Sequence, residues 1–337
     1  MSPLRGGGRR SLAFSYRPYL RVLFFVPATV LLVFLVLYPA LQTLLLSFYT
    51  PSGQFAGLNN YGSVLGNRET IDTSDWQMPY GTLINNCLWI AIHLPLTLFT
   101  GLYLALTLQK VRGASIIKSM IFLGMVTPMI VGGIILTFLF DEKSGIVPRL
   151  FGLLGINSLA IQWTQYPETL LFGLIFGSVW LWVGFSLIAY SAGLTTIPRD
   201  YFEAAQMDGA SPWQTFRRIT WPLLRQTTLT VVTMTILWEL KIFDIIFAAT
   251  NPNGGVGGAA DVLALQMFRY AFRAGNYNAA AVVATLLTGL TLLVSAWMFR
   301  RIIIGPQRKG RRVRKLVLQF WTRVWTRIKP HRTVPQA

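Results

Sequence analysis

The sequence predicts an all-α integral membrane protein with six transmembrane helices and both termini in the cytoplasm. Three observations carry this. Hydrophobic residues make up 53% of the 337 positions and charged residues only 12%, against roughly 25% charged in a soluble globular chain. Six stretches stay apolar over the ~20 residues that a helix needs to cross a ~30 Å hydrocarbon core. The lysines and arginines fall mostly on one side of those stretches, the side expected to be cytoplasmic.

The first span is expected at Val22–Phe48, after a basic N-terminal segment, residues 1–21. Its apolar run exceeds the ~7–15-residue core of a secretory signal, and no small-residue cleavage site follows, so it reads as a retained span. The second, Leu83–Leu108, holds Cys87 and His93. A single cysteine excludes an intramolecular disulfide and a Cys-rich metal site, and Cys87 is expected to be a small buried hydrophobe. His93 is either a packed, hydrogen-bonded core histidine or a proton relay. The third span, Ser119–Phe140, carries no charge. The fourth, Thr169–Gly193, contains Trp180, Trp182 and Phe185, as ordinary packing or as the wall of a ligand path. The fifth, Thr227–Ala249, is the one span with charges, Glu239, Lys241 and Asp244, and the sixth is Ala279–Phe299.

Charges within a span cost about 2.5–3.5 kcal/mol each on insertion scales, which makes them functional candidates. Glu239 lies about twelve residues in from Thr227, roughly 18 Å at 1.5 Å per residue and so near the midplane. With Trp238 beside it, it could face a solute, the carboxylate accepting from hydroxyls and the indole packing on the C–H side of a sugar ring. Interhelical hydrogen bonding is the other reading. Lys241 and Asp244 are three apart and are expected to meet on one helix face as a structural ion pair.

Orientation follows from charge. Twenty-four of the 30 Lys and Arg lie in the N-terminus, the second-to-third and fourth-to-fifth connections and the C-terminal tail, against five on the other side. Topology and attraction to anionic lipid thus account for the net charge of +18, and nucleic acid is not an expected partner. The external segments, Thr50–Tyr80, Asp141–Glu168, Asn251–Gly258 and Ala260–Phe272, are either partner surfaces or plain connectors.

The connection between the fourth and fifth spans, about 195–225, is patterned as two short helices. Pro198 suits a first helical position, with Asp200 in the first turn. Gly209 suits the left-handed residue after a helix. Ser211, Pro212 and Gln214 make a capping box with proline at N1, and Pro222 breaks or kinks the second of the two helices. Such an elbow is a docking surface. Beyond the six-span core, 22–299, residues 300–337 form a basic tail. Leu316, Phe320, Trp321 and Trp325 fall on one helical face, as in an interfacial amphipathic helix. The sequence has no G-x-x-x-x-G-K-[ST] loop, metal signature or nucleophile–base set, so any ATP used is expected to be hydrolysed by another chain.

Glu203-Ala204-Ala205, three residues, Gly209, nine residues, Ile219 and Pro222 resemble the EAA loop of ABC importer permeases. Asp208, Ala210 and Phe216 also fit, and Trp221 stands where the pattern prefers leucine. Gly57-Leu58-Asn59-Asn60-Tyr61 and Lys241-Ile242-Phe243-Asp244 resemble the carbohydrate-uptake branch. The resemblance implies that the loop is a cytoplasmic coupling helix seated in an ATPase. Glu203 would make its charged contact, Ala204 and Ala205 would permit close approach, and Gly209 would turn the chain. It also implies two ABC ATPase subunits that bind ATP and Mg, with no cofactor in this chain. A second, related permease and an external solute-binding protein would complete an assembly in a prokaryotic cell membrane. Uptake of a sugar or related polyhydroxy solute would proceed by alternating access. Trp182, Phe185, Trp238 and Glu239 are the expected pathway residues.

Overall fold

A computed structural model describes residues 18–72, 78–250 and 253–301. The basic N-terminal segment before Pro18 and nearly all of the tail, including its expected amphipathic face, lie outside the described residues. Among the described residues the chain is helical, with no strand beyond an isolated bridge between Tyr49 and Phe55.

The first crossing comprises α1 (Pro18–Leu32), a π turn over Val33–Leu37 and α2 (Tyr38–Leu46). The wide turn admits Pro39, which brings no N–H and would clash with the carbonyl one turn back. None of the Phe25–Leu46 stretch is buried within the chain. After α3 (Asn59–Leu65) comes α4 (Thr82–Thr107), the second span. Then follow α5 (Ala114–Val126), α6 (Met129–Leu139) and the short α7 (Ile146–Leu153). The predicted fourth span is covered by α8 (Pro167–Thr195). The elbow contains α9 (Arg199–Met207), α10 (Pro212–Thr215), a π turn over Phe216–Thr220 and α11 (Trp221–Leu223). Beyond it lie α12 (Arg225–Glu239), α13 (Asp244–Thr250), α14 (Leu263–Phe268) and the last span, α15 (Tyr277–Phe299).

Two predicted spans are not single helices. Among the described residues, four helices are long and apolar enough to cross a membrane: Phe25–Leu46, α4, α8 and α15. The predicted third span bends by 98° between α5 and α6. Pro128 removes an N–H and drives Thr127 into an extended conformation, ψ 128°. The predicted fifth span stops at Glu239 and resumes at Asp244. No proline or glycine causes that break. Irregular backbone at membrane depth requires partners from the protein, and α4 supplies them. Asn86 Nδ2 donates to the Glu239 carbonyl at 3.2 Å, and its Oδ1 accepts from Leu263 N–H at 2.9 Å. Asn85 Nδ2 donates to the carbonyls of Ala259 at 3.1 Å and Asp261 at 2.8 Å.

The central α8 packs on α4 and α5, while α6 packs on α13. That last approach needs Gly133, where a Cβ would lie 2.5 Å from the Ile245 carbonyl. One apolar core joins Trp89, Leu136, Leu171, Leu174, Ile245 and Val262. A second joins Leu98, Leu102, Leu187, Tyr190, Leu194 and Val231 at the elbow end of the bundle. Cys87, expected to be buried, is exposed: it lies on the face of α4 opposite the one that packs against the bundle.

Candidate functional site

The elbow is held rigid by its own backbone chemistry. α9 starts at Arg199, one residue later than expected, with Pro198 as its N-cap. It ends in a complete Schellman motif. Gly209, at φ +69°, donates its N–H to the Gln206 carbonyl at 3.0 Å, and Ala210 N–H reaches the Ala205 carbonyl at 2.9 Å. The capping box then starts α10. Ser211 Oγ accepts from Gln214 N–H at 3.3 Å, and Gln214 Oε1 accepts from Ser211 N–H at 2.8 Å. Pro222 does not stop the chain, because the π turn over Phe216–Thr220 accommodates it.

The residues of the EAA pattern divide into two faces. Glu203, Ala204, Asp208, Gly209 and Pro222 are exposed, and Ala210 and Ile219 are half-buried. Ala205 is only 7% exposed. Its methyl group therefore faces the chain's own body, contrary to the outward approach expected of it. Phe202 and Phe216 pack on the second core, so the elbow is anchored to the bundle through these two rings. The outward side adds Met207 at 88% exposure and Trp213 at 66%. Trp213 and Trp221 both lie against Phe216, with ring centroids 5.5 and 6.2 Å away.

A second constellation forms where the fifth span breaks. Trp182 and Trp238 approach with ring centroids 6.4 Å apart, and Phe185 meets Trp238 at 4.9 Å, edge to face. Trp182 and Trp238 line an open cavity of about 240 Å³ together with Met129, Lys241, Phe243 and Asp244. A further cavity of about 500 Å³ lies on the other side of Lys241, against α14 and α15. The expected Lys241–Asp244 ion pair is not formed. The break takes the two out of a common helix turn, and no ion pair joins them among the described residues. Both are exposed, two opposite charges at the rim of an aromatic cavity.

Glu239 does not face that cavity. It is 0% exposed, as is His93, and His93 Nδ1 lies 2.6 Å from its Oε1. Of the two readings of Glu239, the structure has interhelical hydrogen bonding. The partner was missed in the sequence: an ionisable group near the middle of a span is costly unless it finds a partner, but nothing local says that these two meet. Thr82 and Thr70 were missed as well. Both bond the buried Gln266, at 2.8 Å each, which ties α4 and the first outer loop to α14. Among the described residues no group of three or more His, Cys, Asp or Glu is placed to hold a metal.

Residues 97–304 match the family described as the binding-protein-dependent transport system inner membrane component. A probable ABC transporter permease protein of Pyrococcus horikoshii is 53% identical over 283 residues, 82% of this chain and 96% of its own length. The alpha-glucoside transport system permease protein of Rhizobium meliloti is 31% identical over 297 residues, 86% of this chain and 83% of its own. The trehalose/maltose transport system permease protein of Thermococcus litoralis is 29% identical over 270 residues, 78% of this chain and 86% of its own. In fold, the chain resembles one from the crystal structure of a bacterial ABC transporter that imports the acidic polysaccharide alginate. The TM-score is 0.69 at 19% identity, over 85% of this chain and 97% of that one.

Proposed function

The chain belongs to the family of binding-protein-dependent transport system inner membrane components, the multi-pass permeases of prokaryotic cell membranes, and from that premise we propose how it works. It crosses the membrane six times with both termini in the cytoplasm, its third and fifth crossings being broken. It forms the translocation pathway of an ATP-driven importer together with a second, related permease. A solute-binding protein delivers the solute on the outer side, and two ATPase subunits drive alternating access from the cytoplasm. ATP and Mg stay on the ATPase, and this chain performs no chemistry.

The elbow carries this reading. Glu203 stands out from a helix whose C-terminal end is locked by the Schellman motif and whose Phe202 packs into the second core, so a push on α9 is passed to the bundle. A loose loop would absorb the push. The solute is a sugar or related polyhydroxy compound. Support comes from the rim at the helix break: two indoles offer apolar faces to ring C–H groups, and Lys241 and Asp244 offer a donor and an acceptor to hydroxyls. Ligand cavities usually span about 300–1,000 Å³, so the roughly 240 Å³ cavity of one chain is a half-site that the second permease completes.

The test is to purify the tagged chain from native membranes and identify its companions. An ATPase and a second permease should come with it, and Glu203→Arg should release the ATPase. Gly209→Pro should insert normally yet cut ATP-driven uptake at least about 100-fold, because proline cannot adopt positive φ. A chain recovered folded but alone, or normal uptake by a well-expressed Gly209→Pro variant, would defeat the coupling role. Trehalose, maltose, glucose and glycerol are the first solutes for an ATPase-stimulation screen.

A further inference from the structure

We infer that His93 and Glu239 are a positioning pair: their buried hydrogen bond holds the helix break that shapes the aromatic cavity, and neither touches solute. This rests on the reading of that cavity as part of the pathway only for its importance to transport. The positioning itself is a matter of geometry.

Glu239 is the last residue of α12, and both of its ends are tied to α4. Its carboxylate meets His93 Nδ1 at 2.6 Å and its carbonyl accepts from Asn86 Nδ2 at 3.2 Å. Asn86 and His93 are seven residues apart, two helical turns, and so lie on one face of α4. The same carbonyl accepts from Ile242 N–H at 3.3 Å, which directs the chain away from the helix axis. The next residues, Lys241, Phe243 and Asp244, are the cavity rim.

The pair also stands directly behind the cavity wall. His93 meets Trp182 edge to face with centroids 5.3 Å apart, and Trp238 precedes Glu239 in sequence and packs on Trp182. Removing either partner leaves a polar group in a dry core without its mate, and such groups move to find water or another partner. Movement of the pair reaches the cavity wall directly, because His93 contacts Trp182 and Glu239 follows Trp238 in the chain.

A solute-independent test uses the assembled transporter in a Cys87→Ser background, with Lys241→Cys or Asp244→Cys as reporter and Gln226→Cys, at the other end of α12, as control. The rate of modification by a small methanethiosulfonate reagent is measured. His93→Ala and Glu239→Ala should each change the rate at 241 and 244 by about tenfold or more and leave 226 unchanged. Glu239→Gln, which keeps a hydrogen-bonding head of the same size, should restore rates near the starting ones. His93→Phe, of similar volume without a ring nitrogen, stands in should the alanine variants fail to assemble. Unchanged rates at 241 and 244, an equal change at 226, or no rescue by Glu239→Gln would overturn the assignment. The pathway reading fails separately, by unaltered uptake in Trp182→Ala and Trp238→Ala.

Discussion

At the scale of single residues, the charges of the outer surface behave unlike those of the spans. Arg269 pairs with Asp261 and with Glu69 at 3.3 Å, which joins the first outer loop to the segment before α14. Burial pushes the Asp261 carboxyl up from 3.8 to about 6, against the opposing pull of the Arg269 charge. A raised carboxyl pKa means that the folded chain holds the proton more tightly than the unfolded one. Its contribution to stability is therefore full below pH 3.8 and is lost as pH rises through about 6. Thermal unfolding followed from pH 4 to 7 should show that decline in the native chain and a flatter profile in Asp261→Asn. Identical profiles would mean that the carboxyl does not titrate in this window. Glu203, Gly209, Trp182 and Trp238 could be singled out as candidates from the sequence, because pattern and residue type point to them without knowledge of contacts. The bond between His93 and Glu239 was not. It joins residues 146 apart, and no local pattern encodes which buried acid meets which buried base.

At the scale of elements, the elbow shows local rules acting almost alone. Its helix ends, its left-handed glycine and its capping box follow from Pro198, Gly209, Ser211 and Gln214, and the structure moves only one boundary by a residue. Ser211→Ala should cost the cap about 0.5–2 kcal/mol. Hydrogen exchange should then quicken across residues 213–221 while α4 and α8 keep their protection, and unaltered exchange there would show that packing by Phe216 suffices. The broken spans divide differently. The bend at Thr127 and Pro128 was open to reading, since proline cannot continue a helix undisturbed, yet an unbroken apolar run hid it. The break after Glu239 has no such residue. Its partners are Asn86 and His93, 153 and 146 positions away in sequence, so hydropathy reads the segment as one span. The polar trio Glu239, Lys241 and Asp244 was the only local sign that an ordinary helix would be uncomfortable there.

At the scale of the whole molecule, composition and the bias of basic residues gave the membrane class, and the proposed orientation follows from the same bias. In a Cys87→Ser background, Met207→Cys in the elbow and Asn253→Cys beyond α13 should react with an impermeant thiol reagent from opposite sides of the membrane. Labelling of both from one side would overturn the six-crossing arrangement. No residue of the helix Phe25–Leu46 is fully buried within the chain, but its end is fastened. Asn278 Nδ2 donates to the carbonyls of Leu46 at 3.1 Å and Tyr49 at 2.6 Å, 232 and 229 residues away. Seen as an event during synthesis, the earliest described helical stretch to leave the ribosome is clasped by the latest. Until α15 emerges, the Tyr49 carbonyl has Asn60 Nδ2 as its only side-chain amide donor among the described residues, and α2 lacks the helix it packs on. A chain cut short before Tyr277 thus lacks both the Asn278 clasp and the helix face on which α2 packs.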